Sequence, residues 1–173
     1  MPLTTQFVKL SINGTILCIK SFPDIDPNGS PDQIEVTTLC DEYHQYINGL
    51  KNYADDLEFT ANYDEATFGA YDVQEYDATA DYALGDLARH EGKTYKCTSA
   101  ITGGEAWNSS HWADTVVEIL LCNASTDESG KNGKFTISAC DVSVRLTGAG
   151  VGDALEMVYV IKPRSDIAFS TVA

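Results

Sequence analysis

Residues 135–146 read Phe135-Thr136-Ile137-Ser138-Ala139-Cys140-Asp141-Val142-Ser143-Val144-Arg145-Leu146, and the phase of their alternation changes midway. Phe135, Ile137 and Ala139 share one parity, while Cys140, Val142, Val144 and Leu146 share the other. Successive strand side chains point to opposite faces, so a slip of one residue exchanges the buried set for the exposed set. The stretch therefore predicts a long strand with a bulge or sharp bend near Ala139–Cys140.

The flanking sequence is also strand-like. Phe7 to Ile12 and Thr15 to Lys20 enclose Asn13-Gly14, a hairpin signal because both turn residues accept positive φ. Gln33 to Cys40 alternates, with Ile34, Val36, Thr38 and Cys40 on one face. Asp56 to Tyr63 alternates more cleanly: Leu57, Phe59, Ala61 and Tyr63 oppose Asp56, Glu58, Thr60 and Asn62. Val116 to Cys122 and Leu155 to Ile161 are continuous apolar runs, suited to strands buried on both faces. Only Asp64 to Tyr76 looks helical, with Asp64 as N-cap and Gly69 weakening the run. The expected fold is mainly β, an antiparallel sandwich or barrel with one short helix, a long hairpin and a small β insertion.

Composition narrows the function. The 173 residues hold 26 acids against 11 Lys and Arg, a formal charge of −15. Such a surface repels phosphate, which excludes sequence-specific reading of nucleic acid through a basic patch. No run approaches the roughly 20 apolar residues that span a bilayer, so membrane insertion is not expected. The opening Met1-Pro2-Leu3-Thr4-Thr5-Gln6 has no charged or apolar region of a secretion signal. The five cysteines are widely spaced with no CxxC pair, which predicts reduced thiols rather than a zinc knuckle or redox dithiol. Residues 41–76 alone carry nine acids and the single base Lys51. That segment is either a solvated face or a deliberately anionic surface.

Few residues suggest catalysis. His44, His90 and His111 lie in different segments without a nucleophile partner or metal-ligand spacing. Adjacent acids such as Asp41-Glu42 and Asp55-Asp56 fit solvated loops better than general acid–base work. The expectation is a non-enzyme without a cofactor. Asp24 to Glu35 matches the twelve-residue calcium-loop spacing, but it sits between strand-like runs and contains Pro27 and Pro31; an acidic turn explains it as well. The segment 77–115 is different in composition. It holds both tryptophans, Trp107 and Trp112, together with Tyr82 and Tyr95. These rings form either the mini-core of a small unit or a platform that stacks on sugar rings.

Two family resemblances follow from these motifs. Residues 1–76 and 116–173 resemble the major tail tube proteins of long, non-contractile-tailed bacteriophages. The likeness rests on Ile34-Glu35-Val36-Thr37-Thr38-Leu39, Tyr46-Ile47-Asn48-Gly49-Leu50-Lys51, Leu57 to Asp64, Phe135 to Leu146 and Thr147 to Leu155. It implies a virion protein, made in the host bacterial cytoplasm, that forms stacked homohexameric rings around a DNA conduit. Tape measure, tail terminator and distal tail proteins would be its partners, with genomic DNA passing through without specific binding. Strands Gln33–Cys40 and Asp56–Tyr63 would form the long hairpin, with Asp56 and Glu58 facing the lumen. The connection between them, including Asp41, Glu42, Tyr46, Lys51 and Asp55, would reach the neighbouring ring.

Residues 78–115 are similar to small chitin-binding-type carbohydrate modules, through Tyr82-x-x-Gly85-Asp86, Gly92-Lys93-x-Tyr95-x-Cys97 and Trp112. Such modules usually carry a Trp just upstream of the first tyrosine, where this chain has Ala78–Asp81. This second resemblance implies that Tyr82, Tyr95, Trp107 and Trp112 meet a host surface glycan. The alternative function is then a glycan-binding or adhesion protein acting through the insertion.

Overall fold

A computed structural model describes residues 8–21, 23–25, 31–35, 46–51, 56–148 and 154–171, with 31–35 and 46–51 described by their backbone alone. The architecture is mainly antiparallel β, an open sheet rather than a closed barrel. Strands β1 (Val8–Ile12) and β2 (Thr15–Leu17) join through Asn13-Gly14. The φ values there, 52° and 88°, are the left-handed pair that so tight a turn needs. β1 pairs next with the long strand we number β8 (Trp112–Leu121), then come β9 (Lys134–Thr147), β10 (Glu156–Pro163) and β5 (Leu57–Asn62). β11 (Ile167–Ser170) follows β10 along the same edge of β9. Beyond β2, Lys20 N donates to Thr60 O on β5 at 2.7 Å, so the two ends of the sheet touch without a continuous ladder.

The phase change in β9 is a bulge. Thr115 faces Cys140 and Val117 faces Ile137, which leaves Ser138 and Ala139 opposite Val116 alone. Ile137 is buried before the bulge, and Cys140 and Val142 after it. The backbone groups of Ala139 are satisfied from the other edge: its carbonyl accepts from Arg164 N at 2.8 Å, and its N–H donates to Ser165 Oγ at 3.1 Å. The main core gathers around the bulged strand. Leu10, Ile12, Phe59, Val117, Ile119, Ile137, Tyr159 and Ile161 are each at most 1% exposed. β10 is buried on both faces, as its apolar run predicts. Burial pushes the Cys140 thiol up to about 12 and the Tyr159 phenol to about 12.

Several expectations need correction. Among the described residues, 33–35 do not pair with Asp56–Tyr63, and 36–40 lie outside the described residues. β3 (Pro31–Glu35) pairs with β4 (Tyr46–Lys51) in a two-stranded sheet of its own, Glu35 opposite Tyr46 and Pro31 opposite Lys51. Asn48-Gly49 masks β4 in the sequence by breaking its β pattern. β5 is drawn elsewhere, because burying Leu57, Phe59 and Ala61 in the main core outweighs a local hairpin. Tyr46 and Lys51 thus end a strand rather than lie in a loop, while Asp41, Glu42 and Asp55 lie outside the described residues. So do Asp26 to Gly29 of the calcium-like stretch, and its last five residues, Pro31–Glu35, form β3. Among the described residues no group of His, Cys, Asp or Glu could hold a metal ion.

The helix is also shorter than expected. α1 spans Glu65–Tyr71, with the Asp64 carboxylate accepting Thr67 N at 2.8 Å as N-cap. The chain then straightens, and Arg89 N donates to Gln74 O while Tyr76 N donates to Arg89 O. Strand-like pairing wins over a helix weakened by Gly69. The connection from β8 to β9 turns on Asp127, whose buried carboxylate accepts the N–H groups of Asn123, Ser129 and Lys131. Those bonds, Lys131's first, hold it well below the usual carboxylate range.

Candidate functional site

The aromatic residues of the middle segment are organised by one hairpin. β6 (Leu87–His90) and β7 (Lys93–Cys97) meet at Glu91-Gly92, with φ of 51° and 77°. Ala88 pairs with Tyr95, and Leu87 with Lys96. Alternation sends Ala88, His90, Tyr95 and Cys97 to one face and Leu87, Arg89, Thr94 and Lys96 to the other. The first face meets the aromatic cluster, and the second meets the main sheet: Leu87 packs on the main core, and Thr94 is 0% exposed against β9.

All four predicted binding residues fall in that cluster, but in different places. Trp112 is buried among Ala88, Cys97 and Ile101, with Tyr82, Tyr95 and Trp107 partly buried around it. Trp107 runs nearly parallel to Trp112, at 5.2 Å and 18°, and to the His90 ring, at 4.0 Å and 2°. Tyr95 tilts against Trp107 at 5.2 Å. Trp112 therefore belongs to the mini-core, and the partly exposed rings are Tyr82, Tyr95 and Trp107.

Two residues of the cluster were not among the predicted binding residues, Tyr76 and His90. Tyr76 stacks on Tyr82 at 5.3 Å and 15° and meets both tryptophans edge-on. It supplies the aromatic that the carbohydrate-module resemblance asks for upstream of Tyr82, in place of Ala78–Asp81. Its assignment to the helix hid it; the signal was a ring six residues before Tyr82. His90 was detectable by its parity with Ala88 on β6.

Polar contacts fix the loops that carry these rings. The Tyr76 hydroxyl donates to Glu105 O at 2.8 Å, and Asp77 N donates to Tyr82 Oη at 2.8 Å. His111 Nδ1 lies 2.5 Å from Glu105 Oε1. The acids Asp77, Asp81 and Asp86 accept the N–H groups of Thr79, Gly103 and Ala83. They are turn-formers rather than ligand groups. Gly104, at φ 71°, lets the Trp107 loop close on Ala78, where a Cβ would stand 2.4 Å from the carbonyl oxygen.

The cluster is joined to the main sheet without a flexible linker. Trp112, Ala113 and Asp114 at the start of β8 pair with β7, and the rest of the same strand pairs with β1 and β9. At the junction Thr94 N donates to Asp141 Oδ1 at 2.7 Å and Thr94 Oγ1 accepts from Val142 N at 3.2 Å. Arg164 bridges Asp141 at 2.9 Å and Asp114 at 2.8 Å, and sits over the Tyr95 ring.

Asp56 and Glu58, expected as an anionic face, are paired with cations. Glu58 meets Arg145 at 2.8 Å across β10, and Asp56 meets Lys162 at 3.4 Å. The exposed pairs contribute little each, but they cancel the local charge.

Comparison with known families agrees with this geometry. Residues 75–114 match carbohydrate-binding module family 5/12, under a quarter of the 173-residue chain. No curated protein matches the chain.

Proposed function

We propose that the protein binds carbohydrate through the partly exposed rings of residues 75–114, held at a fixed angle on the β sheet. The observation that carries this reading is the family match over the segment where Tyr76, Tyr82, Tyr95 and Trp107 converge. The ring surface that stays exposed would meet the C–H bonds of a pyranose, a contact worth on the order of 1 kcal/mol per ring. Weak single contacts suit repeated, multivalent display. The test is retention on insoluble chitin or peptidoglycan. The unaltered protein is retained, and Trp107→Ala and Tyr82→Ala are washed through with an unchanged circular dichroism spectrum. Flow-through of the unaltered protein on both matrices overturns the reading. Trp112→Ala is the wrong probe, because Trp112 is core.

A second reading, a tail tube subunit assembling as stacked hexameric rings, is favoured by the separate β3–β4 hairpin and by the resumption of one sheet after the inserted segment. The neutralised Asp56 and Glu58 face means that any bare anionic bore would need other acids. Six-fold rings or tubes in negative-stain images support it, and uniform monomers across salt conditions reject it. The two readings are compatible, since a tube displays each module many times.

A further inference from the structure

Where the second face of the β6–β7 hairpin leans on the main sheet, it leaves a cleft of about 320 Å³ lined by Arg89, Gly92, Asp141, Val142, Ser143 and Lys162. We propose that this cleft binds the carboxylate of an acidic sugar, a uronic acid unit of a glycan. The inference rests on the carbohydrate-binding reading and adds a ligand class to it.

The argument is one of unclaimed donors. Arg89 makes no side-chain hydrogen bond among the described residues, and its nearest acid, the well-exposed Glu75, stands 3.9 Å away. The half-buried Arg89 guanidinium thus lines the cleft with its five N–H donors and only a long contact to Glu75. Lys162 has a loose partner in Asp56 at 3.4 Å. The other acids at the site are committed: Asp141 Oδ1 takes both Thr94 N and Arg164 Nε, and Asp114 takes the other arm of Arg164. An incoming carboxylate can thus gain a charge-assisted fork from Arg89 and a point charge from Lys162 without breaking a tight native pair.

The remaining lining selects the rest of the ligand. Asp141 can accept hydroxyl hydrogens, and Ser143 both donates and accepts, so the lining favours a ligand that carries hydroxyls. A ligand with hydroxyls beside a carboxylate satisfies all four side chains at once. The volume suits one pyranose unit, at the lower end of known small-ligand sites. The cleft lies on the opposite face of the hairpin from the rings, so the two sites can be separated by mutation.

Titration calorimetry with glucuronate, glucose and inorganic phosphate provides the test, read beside retention on chitin. Glucuronate binds; glucose and phosphate bind at least tenfold more weakly. Arg89→Gln and Ser143→Ala each weaken glucuronate at least fivefold while chitin retention is kept, and Trp107→Ala does the reverse. Chitin retention without glucuronate binding overturns this inference and leaves the ring-based function standing. Glucuronate binding that ignores Arg89→Gln, or that phosphate matches, also overturns it.

Discussion

The main sheet and the inserted segment bury apolar surface by opposite means. The sheet core gathers many side chains from strands distant in sequence, Leu10, Phe59, Ile119, Ile137 and Tyr159 among them. The inserted segment uses a few large rings brought together by one hairpin and two loops. A stretch of some 40 residues is too short to enclose an aliphatic core, so it gains burial per residue by using tryptophan and tyrosine. Rings packed this way keep edges in solvent. The same economy that stabilises a small unit leaves Tyr76, Tyr82, Tyr95 and Trp107 only partly buried.

Substitutions on either side test how separate the two cores are. Phe59→Ala empties the centre of the sheet and costs about 3–5 kcal/mol, seen as a fall of the main calorimetric transition. Trp112→Ala removes a comparable volume but acts locally: hydrogen exchange accelerates for amides 76–111, while β9 and β10 keep their protection. Equal loss in both regions would mean a single core. Arg164→Gln removes two charge-assisted bonds at the junction, costs about 1–3 kcal/mol, and lets residues 76–111 exchange independently of the sheet.

Titration gives the smallest effects, and both belong to the main sheet. Tyr159 and Tyr71 have phenols raised by burial, so their contribution is complete below about pH 10 and declines at higher pH, for Tyr159 as pH rises toward 12. Asp127 has a depressed carboxyl, so its contribution is present above about pH 4 and is lost as pH falls further. Melting followed across pH reads both. Asp127→Asn flattens the acid limb and leaves the alkaline one.

The alternation of β5 was legible in sequence because that strand packs one face against the core, and the apolar run of β10 because both its faces are buried. The β9 bulge, the Asn13-Gly14 turn and the cap at Asp64 were legible too. The hairpin pairing was not legible, because periodicity says which residues are strand and nothing about which strand is the partner. The four aromatic candidates were recovered as a group, yet Trp112 and Trp107 look alike in sequence and differ in burial through tertiary packing. Tyr76 was missed because it was assigned to the helix expected over Asp64 to Tyr76, whereas in the fold its N–H pairs with Arg89 O of β6.

Because β8 runs unbroken from the tryptophan-lined segment into the middle of the sheet, a tug at the outer end travels along its backbone. The hydrogen bonds to β1 and β9 then bear the load side by side rather than opening one at a time like a zipper, so the attachment point resists shear.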